Sequence, residues 1–326
     1  MKWWSPRRLW VGGVYHVALT LAGCQPPPGA DEGAARWQAR APIAGGARLE
    51  AGVVAAGGRV YVIGGFDSQN VVVGTVEEYD PEADVWRGRT ALPRPLHHLN
   101  VAEVGGRIYV LGGLAGQSFT AVGDAFVYDP AADVWSPRAH LPAGSERGAS
   151  ALAVLDGRIY VAGGSRVDAV SDFAVYDPGA DVWTALPALP AARYHAVGTA
   201  AGGRVLVVGG LGDVARSQPS PEVLAFDPVA RLWTRRADMP TARGGCAAGV
   251  IEGELVCAGG EDASTVVVAA TEAYDLAADS WRHLPPMRTP RAGTAGAVVD
   301  GALIVPGGAR ALFPLPVDTV EALTLR

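Results

Sequence analysis

Short apolar runs, five of six opened by a charged residue and each closed by a glycine pair, recur along the chain. Arg59-Val60-Tyr61-Val62-Ile63, Arg107-Ile108-Tyr109-Val110-Leu111 and Arg158-Ile159-Tyr160-Val161-Ala162 are the clearest. The pairs that close such runs are Gly64-Gly65, Gly112-Gly113, Gly163-Gly164, Gly209-Gly210, Gly259-Gly260 and Gly307-Gly308, at steps of 48, 51, 46, 50 and 48 residues. Runs of this length, rich in β-branched and aromatic residues and bounded by glycine, read as strands. Downstream of each of the first five pairs stand two aromatic residues seven apart: Tyr79/Trp86, Tyr128/Trp135, Tyr176/Trp183, Phe226/Trp233 and Tyr274/Trp281. Between them lies a turn, as in Asp80-Pro81-Glu82-Ala83-Asp84. Proline presets φ there and the aspartate side chain bonds the turn backbone.

A Gly-Gly pair, then Tyr, then Trp, repeated about every 50 residues, resembles the kelch repeat, in which each period is one four-stranded propeller blade. The resemblance covers roughly residues 37–326 and implies an all-β fold, a six-bladed kelch β-propeller. The last period has the strand-like Thr319-Val320-Glu321-Ala322-Leu323 but no tryptophan. The missing piece stands at the front, where Trp37 lies in Ala35-Arg36-Trp37-Gln38-Ala39. An N-terminal strand around Trp37 is therefore expected to complete the last blade, because an unfilled blade would leave a strand edge open at the seam.

Ahead of the propeller (35–326), residues 1–24 read as a secretory signal. Lys2, Arg7 and Arg8 precede a mostly apolar stretch from Leu9 to Leu21, which is too short to span a bilayer. Its ending, Leu21-Ala22-Gly23-Cys24, resembles a bacterial lipoprotein signal, which implies a lipid on Cys24. Residues 25–34, with Pro26-Pro27-Pro28, form the expected tether. The implied location is extracytoplasmic, lipid-anchored to the cell envelope, at the outer membrane in a Gram-negative source. A monomer is expected, touching the membrane only through the anchor.

A net charge of −6 argues against nucleic acid, which would want a basic stripe. Nearly all the positive charge is arginine, with Lys2 the single lysine, and arginine's planar fork suits carboxylates and phosphates. Cys246 and Cys257 should lie on adjacent strands of one hairpin. With Glu252-Gly253 as the turn, Cys257 faces Ala248, and the diagonal separation of the cysteines favours two buried thiols over a disulfide.

Sixteen residues before each glycine pair stand Arg48, Leu96, Arg147, Arg193, Arg243 and Arg291, with Arg94 near the exception. In kelch propellers arginines at this place line one mouth of the central channel, so the resemblance implies an arginine-rimmed mouth able to hold an anion. A structural alternative has the arginines bonding backbone carbonyls and acids after the glycine pairs, such as Asp67, Asp213, Glu261 and Asp262. Fourteen residues before the pairs stand Glu50, His98, Ala149, His195, Gly245 and Gly293. Strand alternation puts these on the arginines' face, one layer in, with Glu50, His98 and His195 as a polar floor.

Tyr194-His195 resembles two copper ligands of galactose-oxidase-type propellers, with His98 as a third nitrogen. The second tyrosine of that site, and its cysteine crosslink, have no counterpart here. His97-His98 is set aside as a zinc pair because neighbours on a strand point to opposite faces. No cofactor and no metal are expected. The reading favoured is a binding scaffold for a protein, peptide or glycan partner in the cell envelope, using the channel mouth (Arg48, Arg147, Arg193, Arg243, Arg291, Tyr194, His195, His98, Glu50) or the loops after the glycine pairs. Those loops vary in length, as recognition loops on a fixed ring do. The alternative is a sugar mutarotase-like enzyme of the sialic-acid type, in which Glu50, His98 and His195 supply acid and base beside Arg193. Catalytic residues are not assigned.

Overall fold

A computed structural model describes residues 35–212, 218–262, 267–311 and 316–326. The expected signal, Cys24 and tether, and Asp213, lie outside the described residues. Six four-stranded antiparallel sheets follow one another. The first blade is Gly52–Ala56, Arg59–Ile63, Val76–Asp80 and Val85–Arg89, paired in that order. The sixth takes Ala297–Val299, Ala302–Pro306 and Val320–Thr324 from the C-terminal end, and Arg36–Arg40 from the N-terminal end as its outer strand. Trp37 pairs with Leu323, and the register runs from Arg36 opposite Thr324 to Arg40 opposite Val320. The fold is the all-β six-bladed propeller that the repeats imply.

The first two strands of every blade are joined by a two-residue turn with both φ positive, such as Gly57-Gly58 and Glu252-Gly253. That geometry matches the right-handed twist of the flanking strands. The Glu252 turn sets Cys257 opposite Ala248, as expected, and both cysteines are buried and unbonded. In the turn between the third and fourth strands, Asp80 Oδ1 accepts from the backbone N–H of Glu82 and Ala83. Asp129, Asp177, Asp227 and Asp275 do the same in their blades.

The core consists of six apolar seams, one between each pair of neighbouring blades. Ile63 and Val76 of the first blade, for instance, pack with Ile108, Val110 and Tyr128 of the second. Polar clasps reinforce the seams. Each motif tryptophan donates its indole N–H to a carbonyl just past the preceding blade's outer strand: Trp86 to Ala41, Trp135 to Thr90, Trp183 to Ala139, Trp233 to Pro187, Trp281 to Ala237 and Trp37 to Pro285, at 2.9–3.0 Å. Where the residue so gripped has an N–H, an aspartate takes it. Asp84 accepts from Ala41, Asp133 from Thr90, Asp181 from Ala139 and Asp279 from Ala237. The buried tyrosine hydroxyl of the same blade donates to that aspartate at 2.5–2.6 Å. Pro187 and Pro285 have no N–H to give, and the blades facing them carry Phe226 with Arg231, and Leu323, in place of tyrosine and aspartate. The clasp is kept only where there is a donor to hold.

Tyrosine hydrogen bonds are the first cause holding the carboxyls of Asp84, Asp133, Asp181 and Asp279 below the usual range. A depressed folded pKa contributes stability above the unfolded value, near 4, and that contribution is lost as pH falls through the folded value. Asp181→Ala is therefore expected to lower unfolding free energy by about 1–2 kcal/mol at pH 7. The deficit should shrink at pH 3, as urea unfolding at the two pH values would show. A deficit equal at both would refute the assignment.

Candidate functional site

Fourteen residues before each glycine pair the backbone is not extended. Glu50, His98, Ala149 and His195 have φ of 51–54°, and Gly245 and Gly293 have 63° and 66°. These six left-handed residues circle the axis, linked by hydrogen bonds from Glu50 N to Gly293 O, His98 N to Glu50 O, Ala149 N to His98 O, His195 N to Ala149 O and Gly245 N to His195 O, at 2.7–2.9 Å. The ring lies at the end of the channel where the inner strands begin and the Gly-Gly loops emerge. Beyond it a cavity of about 190 Å³ runs along the inner strands, lined among others by Val53, Leu99, Leu152 and Cys246.

The left-handed turn sends ring side chains and arginines in different directions, so the alternation assumed from sequence does not hold. The arginines do not rim the mouth. Arg48, Arg147, Arg193, Arg243 and Arg291 are all buried, none more than 4% exposed. Each donates to backbone: Arg48 to Ala47 O, Arg147 to Ser145 O and Val161 O, Arg193 to Gly209 O, Arg243 to Cys257 O and Arg291 to Val305 O. Four meet a carboxylate of their blade's third-strand region. The pairs are Arg48–Glu77 at 3.5 Å, Arg193–Glu222 at 2.7 Å, Arg243–Glu272 at 3.1 Å and Arg291–Glu321 at 3.3 Å. In the second blade Leu96 is apolar filling and the more exposed Arg94 binds Asp124. The structural alternative thus holds for the carbonyls but with different acids. Asp67 instead accepts from Gln69 N and Val71 N in its own loop. Burial pulls Arg147 down to about 10, with Asp172 only partly offsetting it. Tyr194 packs with Ala149 and Leu211 and is also buried.

Glu50, His98 and His195 do converge on the axis. Glu50 Oε2 lies 3.4 Å from His98 Nε2 and 3.5 Å from His195 Nε2, and the histidine rings stack with centroids 5.1 Å apart. The other ring positions are small. A side chain at Gly293 would strike the Glu50 carboxylate, 2.6 Å from its Cβ. Burial raises the Glu50 pKa and pushes His98 well below the ordinary imidazole value. Burial also acts downward on His195, but Glu50 and Glu261, the latter 3.8 Å from Nδ1, outweigh it and raise its pKa.

His97, set aside from sequence, belongs to this arrangement. Because His98 is left-handed, the two rings meet, with Nδ1 to Nδ1 at 2.6 Å. Burial pushes His97 down to about 4, so it is neutral. Its Nε2 lies 3.1 Å from the Gly116 carbonyl and must carry the proton. His97 Nδ1 is then the acceptor, His98 Nδ1–H the donor, and His98 Nε2 a bare lone pair facing Glu50. Sequence offered one signal for this, the His-His doublet, and alternation hid it. Phe119, at the tip of the hairpin joining Arg107–Ala115 to Thr120–Asp129, stands against both rings at 4.7 and 5.6 Å.

Residues 36–210 match the KLHDC2/KLHL20/DRC7 Kelch-repeats domain, and residues 192–240 and 242–288 match the Kelch motif. The chain belongs to the kelch-repeat family. A curated relative, beta-scruin of Limulus polyphemus, is 38% identical over 61 residues, 19% of this chain. The aligned stretch is only 7% of beta-scruin. Among solved structures, that of YjhT superposes with a TM-score of 0.71 at 17% identity, covering 85% of this chain and 94% of YjhT. That likeness is one of fold.

Proposed function

We propose that this kelch propeller is a binding scaffold, held to the outer side of a cell-envelope membrane by lipid on Cys24, which presents the Gly-Gly loop face to a protein, peptide or glycan partner. The contrast between the two faces carries the reading. One face is built from near-identical two-residue turns. The other is built from unequal loops, including the long hairpin of the second blade, and exposes Val71, Phe119 and Val167. Both faces expose apolar side chains, Val229 and Leu232 among those of the turn face, but loops that differ from blade to blade suit recognition, while a uniform face suits scaffolding. Photo-crosslinking in the native envelope tests this with Phe119→Asp and Val167→Asp against Val229→Asp, an exposed residue of the opposite face. The loop-face variants should lose the parent's crosslinked species and Val229→Asp should keep it. The reverse pattern would sink the proposal.

The enzyme reading keeps one favourable observation, a buried carboxyl of raised pKa beside a bare imidazole nitrogen, the pairing that acid–base work requires. It lacks its anion grip, since Arg193 is spent on Gly209 O and Glu222. Scaffold binding is therefore the reading the geometry favours.

A further inference from the structure

We infer that the axial cluster is a metal site, in which Glu50 Oε2, His98 Nε2 and His195 Nε2 hold one divalent first-row transition ion of the zinc type.

Three potential ligand atoms from three different blades lie within 4.8 Å of one another, the one such group among the described residues. Zinc binds imidazole nitrogen and carboxylate oxygen at about 2.0–2.2 Å, which places ligand atoms roughly 3.3 Å apart in a tetrahedron. The Glu50 oxygen lies 3.4 and 3.5 Å from the two imidazole nitrogens, close to that spacing. Two imidazoles and one carboxylate form a donor set suited to zinc and its neighbours.

Two further observations point to a missing cation. The first is the enclosure of the Glu50 carboxylate between two imidazole nitrogens of other blades, 3.4 and 3.5 Å from one of its oxygens, where a cation would compensate a carboxylate held away from water. The second is His195, whose Nδ1 and Nε2 are both shut off from solvent and approach only carboxylates, Glu261 at 3.8 Å and Glu50 at 3.5 Å, without closing a hydrogen bond. A buried imidazole with neither nitrogen satisfied is costly, and an ion at Nε2 removes half of that cost.

The surroundings are those of a metal-binding histidine pair. Ligating histidines turn their second nitrogen to a carboxylate, a carbonyl or another acceptor, which fixes tautomer and ring angle. His98 turns Nδ1 to His97, itself anchored on Gly116 O, and His195 turns Nδ1 toward Glu261. The left-handed backbone at all three ligand positions aims them at one point, and the small residues Ala149, Gly245 and Gly293 complete the ring. A cavity of about 120 Å³ bordered by Glu50, His98 and His195 leaves room for a water or ligand atom at an open coordination position.

The test uses the full chain, without a polyhistidine tag, titrated with Co²⁺ followed by its visible absorption, and with Zn²⁺ in competition. The expected result is one ion per chain, with visible bands that Zn²⁺ displaces. Glu50→Gln and His195→Gln should each weaken binding by at least about 100-fold. His97→Phe, which keeps a ring but loses the acceptor, should weaken it roughly 10–100-fold. His283→Gln, on the exposed outer strand of the fifth blade, should leave it unchanged. Circular dichroism on each variant separates lost ligands from lost fold. Folded protein that shows no Co²⁺ bands would overturn the site, leaving a proton to satisfy the cluster. So would bands that persist in Glu50→Gln or His195→Gln.

Discussion

Arg243→Ala is expected to cost about 3–5 kcal/mol of unfolding free energy, the range for removing one partner of a buried ion pair. Arg243 and Glu272 are both fully buried and stand 3.1 Å apart. With the guanidinium gone, the Glu272 carboxylate keeps the Thr241 hydroxyl, and Cys257 O loses its donor. Arg94→Ala supplies the contrast, because that ion pair is half exposed and should cost no more than about 1 kcal/mol. The double replacement Arg243→Met with Glu272→Met should recover part of the loss, since no unpaired charge then remains inside. Urea unfolding at neutral pH measures all three. An Arg243→Ala loss under about 1 kcal/mol would mean that the guanidinium is not a structural strut, and would return it to the list of ligand-binding groups.

Removing residues 35–40 should be at least as damaging. Trp37 is 8% exposed, packs in the seam between the fifth and sixth blades and donates to Pro285 O. Trp37→Ala alone should cost about 3–5 kcal/mol. The deletion also strips the partner from Val320–Thr324, leaving an open strand edge. A drop of many degrees in Tm with concentration-dependent aggregation is expected. A deletion variant melting within a degree or two of the parent would show that ring closure contributes little. Every other outer strand is joined to its blade by a short turn, whereas this one is held by pairing and packing alone.

Much of the fold was legible because its signals are local. Six glycine pairs, the Tyr-Trp spacing and the stray Trp37 each reflect one blade's own turns and strands. The convergence of Glu50, His98 and His195 was legible for a related reason: equal register in a ring places equal positions around one axis. The direction of the arginines was not. Reading residues 48 to 50 as extended gave Arg48 and Glu50 a common face, and the left-handed φ of Glu50 cancels that inference. Nothing in a single strand's sequence announces such a residue when it is histidine or glutamate rather than glycine. The acids that neutralise the arginines were visible as letters. Their pairing depends on how the third strand of a blade comes back past the first, which is a matter of tertiary register.

The clasps between blades have a consequence for how the ring comes apart. Four seams are locked by two bonds each, one to an indole and one to a carboxylate buttressed by tyrosine. At the Pro187 and Pro285 seams the clasp is the indole bond alone, beside the backbone bonds that every seam has. These two weak joints divide the hoop into unequal arcs, one of four blades that contains the junction of the chain's ends, and one of the fourth and fifth blades. Parting the ring at these two joints breaks one clasp bond fewer than at any other seam, so they are the favoured places for it to open.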